Sequence, residues 1–113
     1  MKILLFNPNT SDIITERLEN EVKHYLTSEL SVDVKRASMG PQTIVSNFDE
    51  VIASYVTVNE VKKEEDKYDA FIIGCFADPG LLALREVMKA PVVGILEAAL
   101  HEVCLRERRF SIM

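Results

Sequence analysis

A cysteine between two glycines is the feature of this sequence best suited to chemistry. Residues 74–80 read Gly-Cys-Phe-Ala-Asp-Pro-Gly, so Cys75 follows a buried apolar run and precedes a predicted helix by a few residues. The partial positive charge of a helix N-terminus stabilises a thiolate, and Gly74 and Gly80 permit close backbone approach or unusual dihedral angles. We therefore expect a reactive thiolate at Cys75. The alternative is a small, buried apolar residue at a strand end.

Several common uses of cysteine need partners that the sequence does not place near Cys75. A phosphatase loop would have arginine six residues after the nucleophile, where Leu81 stands, and a thioredoxin-like pair would have cysteine at the position of Asp78. The sequence contains no Cys-x-x-Cys pair for zinc, no glycine-lysine phosphate loop and no Gly-x-Gly-x-x-Gly. It therefore predicts no metal site and no nucleotide cofactor.

His101 and Cys104 form a weaker pair of candidates. They lie three residues apart in a predicted helix and would share a face, but a metal site would need two further ligands. We expect Cys104 to lie in the core, between apolar neighbours. His101 is either a base near Cys75 or, as is more usual for a histidine on a helix face, a structural residue.

The elements that position these side chains follow from the alternation of apolar runs and helical spacing. Short continuous apolar runs are typical of strands buried on both faces. Strands are predicted at residues 3–6, 32–34, 70–74 and 92–96, with a fifth opening at 109–113. Helices are predicted from a cap at Thr10 or Ser11 to Leu26, and at residues 48–63, 78–88 and 97–106.

This order predicts an α/β fold with a mostly parallel sheet of about four to five strands flanked by helices. Ligands in such sheets bind beyond the carboxyl ends of the strands, where the loops 7–11, 39–43, 75–80 and 96–98 would meet. Asn7 and Glu97 stand at these strand ends and are candidate ligand contacts. Alternatively, Asn7 closes a turn, and Glu97 interacts with the first turn of its helix.

Composition limits the function classes. The chain has 113 residues, 48% of them hydrophobic, and a net charge of −5. This is enough for one domain with a real core, and the acidic balance argues against nucleic-acid binding. The apolar runs are too short for a membrane span or a secretory signal. Two cysteines without such a signal indicate reduced thiols and a cytoplasmic location.

Several segments, taken together, resemble the hydantoin racemase branch of the aspartate/glutamate racemase superfamily, which also contains allantoin racemases. The resemblance runs from Lys2 to Met113. The most specific segments are the Asn-Pro-Asn-Thr opening and the cysteine block. The matching segments are residues 6–11, Gly40-Pro41 with Ile44, residues 74–81, Arg85-Glu86 and residues 91–98.

The resemblance implies a flavodoxin-like half of a larger enzyme with its site between two similar α/β halves. Each half contributes a cysteine. One thiolate removes the proton next to a carbonyl and the other thiol returns one from the opposite face, without a metal or pyridoxal cofactor. Cys75 matches the first family cysteine, and Asn7, Phe76 and Glu97 lie in matched blocks as substrate-binding residues.

The chain departs from the family in lacking a second glycine-cysteine block, because Cys104 lies in mid-helix. We therefore interpret residues 1–113 as a single domain resembling an N-terminal half, with no second half. Alone it would be inactive as a racemase of hydantoins, allantoin or related amino-acid derivatives, since one thiol cannot serve both faces.

Two other functions remain open at this stage. A lone half exposes the apolar surface that would face its partner, so a non-catalytic binding module or a homo-oligomer is an alternative. A flavodoxin-like receiver or nucleotide module is weaker, because residues 7–9 are Asn-Pro-Asn where a receiver needs an acidic pair.

Overall fold

The strands and helices alternate along the chain. The computed structural model describes residues 1–107 and 109–112. The described strands are β1 (Lys2–Asn7), β2 (Ser31–Arg36), β3 (Ala70–Ile73) and β4 (Val92–Gly94). The helices are α1 (Asp12–Val22), α2 (Asn47–Lys62), α3 (Leu81–Val87) and α4 (Ile95–Arg106), with a short 3-10 helix at Glu65–Lys67.

All strand pairs in the described sheet are parallel, in the order β2-β1-β3-β4. In register, Phe6 of β1 lies beside Ile73 of β3, which lies beside Gly94 of β4. The carboxyl ends of these strands therefore meet at one edge, and the loops that follow them are neighbours. The predicted α/β class and its parallel sheet are confirmed.

The core lies between the sheet and the helices packed on it. Leu4, Leu5 and Phe6 of β1 are consecutive and all buried, which shows that both faces of this strand are covered. Phe71 and Ile73 of β3 are fully buried as well. This rigid sheet fixes the positions at which the chain leaves each strand.

The first helix begins as predicted and ends early. The Ser11 hydroxyl caps α1 by accepting a hydrogen bond from the N–H of Ile14 at 3.3 Å. The helix ends at Val22 rather than Leu26 because Leu26 is exposed and gains no burial from a further turn. The Thr27 hydroxyl then accepts hydrogen bonds from the backbone of the following turn. No helix in residues 1–107 and 109–112 is long and apolar enough to cross a membrane.

Two boundaries near the cysteine differ from the predicted ones. Helix α3 begins at Leu81 rather than residue 78, because Asp78 and Gly80 have φ of 48° and 80°, which no right-handed helix contains. Strand β4 ends at Gly94 instead of continuing to Leu96, and α4 begins at Ile95. Both shifts come from contacts of Asp78, described below.

The predicted fifth strand at residues 109–113 is wrong for residues 109–112, which form no strand; Met113 lies outside the described residues. Phe110 and Ile112 instead face a groove that they share with Phe76 and with Leu100 of α4. In this groove the segment makes apolar contacts. A fifth strand would pair only with the three residues of β4, and so over a short edge.

Candidate active site

A crevice of about 520 Å³ opens beside Cys75 at the carboxyl edge of the sheet. Residues from three of the four predicted strand-end loops, 7–11, 39–43 and 75–80, line this crevice. Near the fourth loop, the lining residue is Ile95, the first residue of α4. Hydrogen-bonding groups and apolar groups both face the space. The polar lining residues are Asn9, Ser11, Arg17, Gln42, Thr43 and Cys75, and the apolar ones include Ile13, Ile14, Ile44 and Phe76.

Cys75 lies half-buried in this crevice as a free thiol. Burial raises the pKa of the Cys75 thiol, the backbone N–H of Ala77 opposes the rise, and the carboxylates of Asp78 and Glu50 add to it. The predicted helix N-terminus does not lie next to Cys75, because α3 begins six residues later, at Leu81, and the carboxylates of Asp78 and Glu50 disfavour the thiolate. A thiol with a raised pKa is a weaker acid, and its ionised form is a stronger base.

Alkylation of Cys75 tests whether the pKa of its thiol is raised. In a Cys104→Ser background, the rate of reaction with iodoacetamide should reach half its maximum at a pH above the ordinary cysteine value of about 8.5. The raised pKa keeps the thiol protonated, and only the thiolate reacts, so the rate at pH 7 should fall below that of free cysteine. A midpoint below the free-cysteine value would contradict the structure.

The second cysteine, Cys104, does not line this crevice. The prediction that Cys104 belongs to the core is wrong, because the last turns of α4 project from the domain: Cys104 is exposed and the adjacent Leu105 is 84% exposed. His101, also exposed, interacts electrostatically with Glu97, whereas the charged groups acting on Cys75 are Asp78 and Glu50. The structure gives no support to His101 as a base for Cys75.

Asn7 is fully buried beneath the first loop. Its Nδ2 donates to Asn9 Oδ1 at 2.9 Å and to Thr15 Oγ1 at 3.0 Å, and its Oδ1 accepts from the N–H of Asn9 at 3.3 Å. Asn9 Oδ1 in turn accepts from the N–H of Ser11 at 2.9 Å. Asn7 thus shapes the loop that presents Asn9 and Ser11 to the crevice, while direct substrate contact by Asn7 stays a prediction.

Phe76 and Glu97 differ in their relation to the crevice. Phe76 is 51% exposed and lines the space next to Cys75. The Glu97 carboxylate is held by the Arg85 guanidinium, with Oε1 at 3.0 Å from Nη1, and this hydrogen bond lowers the pKa of Glu97. Arg85 also donates from Nε to the carbonyl of Val92 at 3.0 Å, so the pair ties α3 to β4 and α4. Substrate contact stays a prediction for both residues.

Comparison with known proteins agrees with this arrangement. The Asp/Glu/hydantoin racemase family profile matches residues 3–113. The chain belongs to this racemase family. The predicted resemblance, including its assignment to an N-terminal half, is confirmed.

The racemase relatives extend well beyond the matched part. The chain is 40% identical over its whole length to a hydantoin racemase of Pseudomonas sp. (strain NS671), of which it covers 46%. It is 36% identical to a hydantoin racemase of Paenarthrobacter aurescens, of which it covers 49%. The solved allantoin racemase from Klebsiella pneumoniae is 34% identical and superimposes with a TM-score of 0.85 over 93% of this chain and 43% of that one. The chain thus spans about half the length of these racemases.

Sequence reasoning missed part of the lining of this crevice. Asn9, Gln42 and Thr43 line the crevice although only the loops that contain them were predicted to meet. The usable signal was their position in a loop that follows a strand end, two residues beyond β1 for Asn9 and six and seven residues beyond β2 for Gln42 and Thr43. Within residues 1–107 and 109–112, no group of three or more His, Cys, Asp or Glu side chains is placed to hold a metal ion.

Proposed function

We propose that this chain supplies one of the two proton-transferring groups of a racemase acting on a hydantoin, allantoin or a related amino-acid derivative, and that the group is Cys75. The observation that carries the proposal is a half-buried thiol in a crevice formed by strand-end loops, in a member of the Asp/Glu/hydantoin racemase family. Family membership supports the reaction class, and the position of Cys75 in the crevice supports the choice of residue.

In the proposed step, the Cys75 thiolate takes the proton from the carbon next to a carbonyl. The C–H bond breaks, an S–H bond forms, and the electron pair moves onto the carbonyl oxygen. The hydroxyl groups of Ser11 and Thr43 line the crevice, and we propose that they donate hydrogen bonds that stabilise that oxygen. The adjacent carbonyl makes the carbon acidic, so the step is proposed to need neither a metal nor a pyridoxal cofactor.

Inversion needs a second acid on the other face of the planar intermediate. Cys75 is the one thiol that lines this crevice, since Cys104 faces a separate groove at the end of α4. We propose that the second group comes from another segment or chain, and that residues 1–113 alone exchange the substrate proton on one face without racemising the substrate.

Hydrogen–deuterium exchange tests the proposal directly. An enantiopure 5-substituted hydantoin, or allantoin, is incubated with the chain in D₂O, and NMR follows the loss of the proton at C5 while polarimetry follows optical rotation. We expect catalysed exchange with retained rotation, because the S–H formed exchanges with D₂O and returns deuterium to the same face. Exchange no faster than in buffer for each substrate would overturn the proposal, and rapid racemisation would overturn the one-face mechanism.

An exposed apolar face on α2 favours a second function, self-association. Phe48, Val51 and Tyr55 are 73%, 69% and 68% exposed and lie at positions i, i+3 and i+7, on one side of the helix. Such a stripe packs well against a second helix of the same kind. We propose that a second copy covers it, since a two-fold pair buries the same patch on both chains.

Light scattering after size-exclusion chromatography should therefore give the mass of a dimer or a higher oligomer. Val51→Lys should shift it toward the 12.8 kDa monomer, because a charge at the centre of the stripe would be buried without a partner. Leu105→Lys is the matched control: Leu105 is 84% exposed on α4, and its change should leave the mass unaltered. A wild-type monomer at all concentrations would exclude this proposal.

We propose a cytoplasmic location because both cysteines, Cys75 and Cys104, are free thiols. Free thiols persist in reducing compartments, and a proton-transferring thiol must remain reduced to act. Labelling of both thiols in freshly lysed cells, without prior reduction, tests this location.

A further inference from the structure

Asp78 makes a contact that the proposed chemistry does not use. It lies three residues after Cys75, and its carboxylate binds the first turn of α4. Oδ1 accepts from the N–H of Leu96 at 3.0 Å, and Oδ2 accepts from the N–H of Glu97 at 2.8 Å. The residue preceding α4 is Gly94, which has no side chain to cap the helix. Asp78 therefore supplies from another loop the cap that Gly94 lacks.

Two unusual backbone features serve this single contact. Asp78 has a φ of 48°, the only positive φ at a non-glycine residue in the described chain. A Cβ at Gly94 would lie 2.2 Å from Cγ of Asp78, so the absence of a side chain there makes the space that the carboxylate occupies. A strained residue and a glycine on separate elements are thus matched to each other.

The contact lies next to the thiol. Ile95, the first residue of α4, lines the same crevice as Cys75, so the N-terminus of α4 opens toward it. An uncapped helix N-terminus carries about half a positive charge, which attracts anions and favours a thiolate. The Asp78 carboxylate occupies that terminus instead, on the loop that also carries the cysteine.

We propose that Asp78 is a positioning residue for Cys75: by capping α4 it fixes the 75–80 loop and neutralises the positive end of the helix beside the thiol. The role of Cys75 in catalysis rests on the proposed function, whereas the effect of Asp78 on the thiol does not. Other charges near the thiol are Glu50, on α2, and Arg17, which lines the crevice from α1. Burial and the carboxylates of Asp78 and Glu50 raise the pKa of Cys75.

Asp78→Asn in a Cys104→Ser background tests the proposal without substrate. Asparagine tolerates a positive φ, so the loop conformation is retained. Removing the negative charge should lower the midpoint of the pH profile of Cys75 alkylation by roughly half a unit to one unit. The amide protons of Leu96 and Glu97 should also exchange with solvent faster, because one acceptor oxygen becomes a donor.

Glu50→Gln is the matched control, since it removes a carboxylate that acts on the thiol without contacting α4. It should lower the alkylation midpoint and leave the exchange of Leu96 and Glu97 unchanged. An unchanged or raised midpoint in folded Asp78→Asn, or unchanged exchange of both amides, would overturn the proposal. Because alkylation involves no substrate, these results do not depend on whether the racemase proposal holds.

Gly94→Ala tests the same contact from the other side and covers the case of a poorly folded Asp78→Asn variant. The added methyl group should displace the carboxylate, lowering both the melting temperature and the alkylation midpoint. The same change in an Asp78→Gly background should lower the melting temperature by much less, because the colliding carboxylate is gone. Equal losses in the two backgrounds would show that the two residues do not interact and would overturn the proposal.

Discussion

Cys75→Ser is expected to reduce the rate of substrate C5 proton exchange by about 10²–10⁴-fold, the contribution usual for a positioned acid or base. Serine keeps the size and the hydrogen-bonding capacity of the side chain, so the crevice and its hydrogen bonds should persist. The serine hydroxyl is a far weaker acid than a thiol, and at neutral pH it provides almost no base. NMR in D₂O, with the same substrate and concentrations for both proteins, measures the ratio of rates.

Cys104→Ser provides the matched control, because it makes the same chemical change at a thiol that lies outside the crevice. It should exchange the substrate proton at the wild-type rate. The pH dependence adds a second check: the raised pKa of Cys75 means that thiolate, and hence exchange, should keep increasing as pH rises through the ordinary thiol range. Equal exchange by the Cys75→Ser and wild-type proteins would mean that another group in the crevice is the base.

The fold was predictable from sequence because its signals are local and repeated. Strand β1 reads as a continuous apolar run and is buried on both faces, and α2 begins at a Ser46–Asp49 capping box that marks its start. The alternation predicts a parallel sheet with right-handed crossovers, whereas the order β2-β1-β3-β4 comes from the structure. Even the loops that form the crevice were predictable, since parallel strands bring their carboxyl ends to one edge.

The chemistry of the cysteine was not predictable in the same way. Its pKa depends on burial and on carboxylates from a helix and a loop far apart in sequence, Glu50 and Asp78. A motif that looks like a thiolate at a helix N-terminus contains an aspartate that caps a different helix. The pairing of Glu97 with Arg85 was not predictable from sequence either, because it depends on how α3 and α4 pack. The pKa of Cys75, the cap formed by Asp78 and the Glu97–Arg85 pair all depend on packing between segments that are distant in sequence.

Phe71→Ala is expected to lower the free energy of unfolding by about 3–5 kcal/mol, the usual cost of truncating a buried aromatic side chain. Phe71 is fully buried in β3, in register with Leu4 on one side and Val92 on the other. Its ring also meets that of Tyr68 edge-on, with centroids 5.9 Å apart. Urea unfolding followed by circular dichroism measures the change.

A loss of this size matters because a domain of ordinary stability has only about 5–15 kcal/mol in total. Phe110→Ala is the matched control: that ring is 45% exposed beside α4, and its removal should cost about 1 kcal/mol, well below the cost at Phe71. Strand β3 leads directly into residues 74–80, so the core variant should also expose Cys75 to alkylation at lower urea concentrations than wild type. Similar costs for the two phenylalanines would contradict the placement of β3 at the centre of the core.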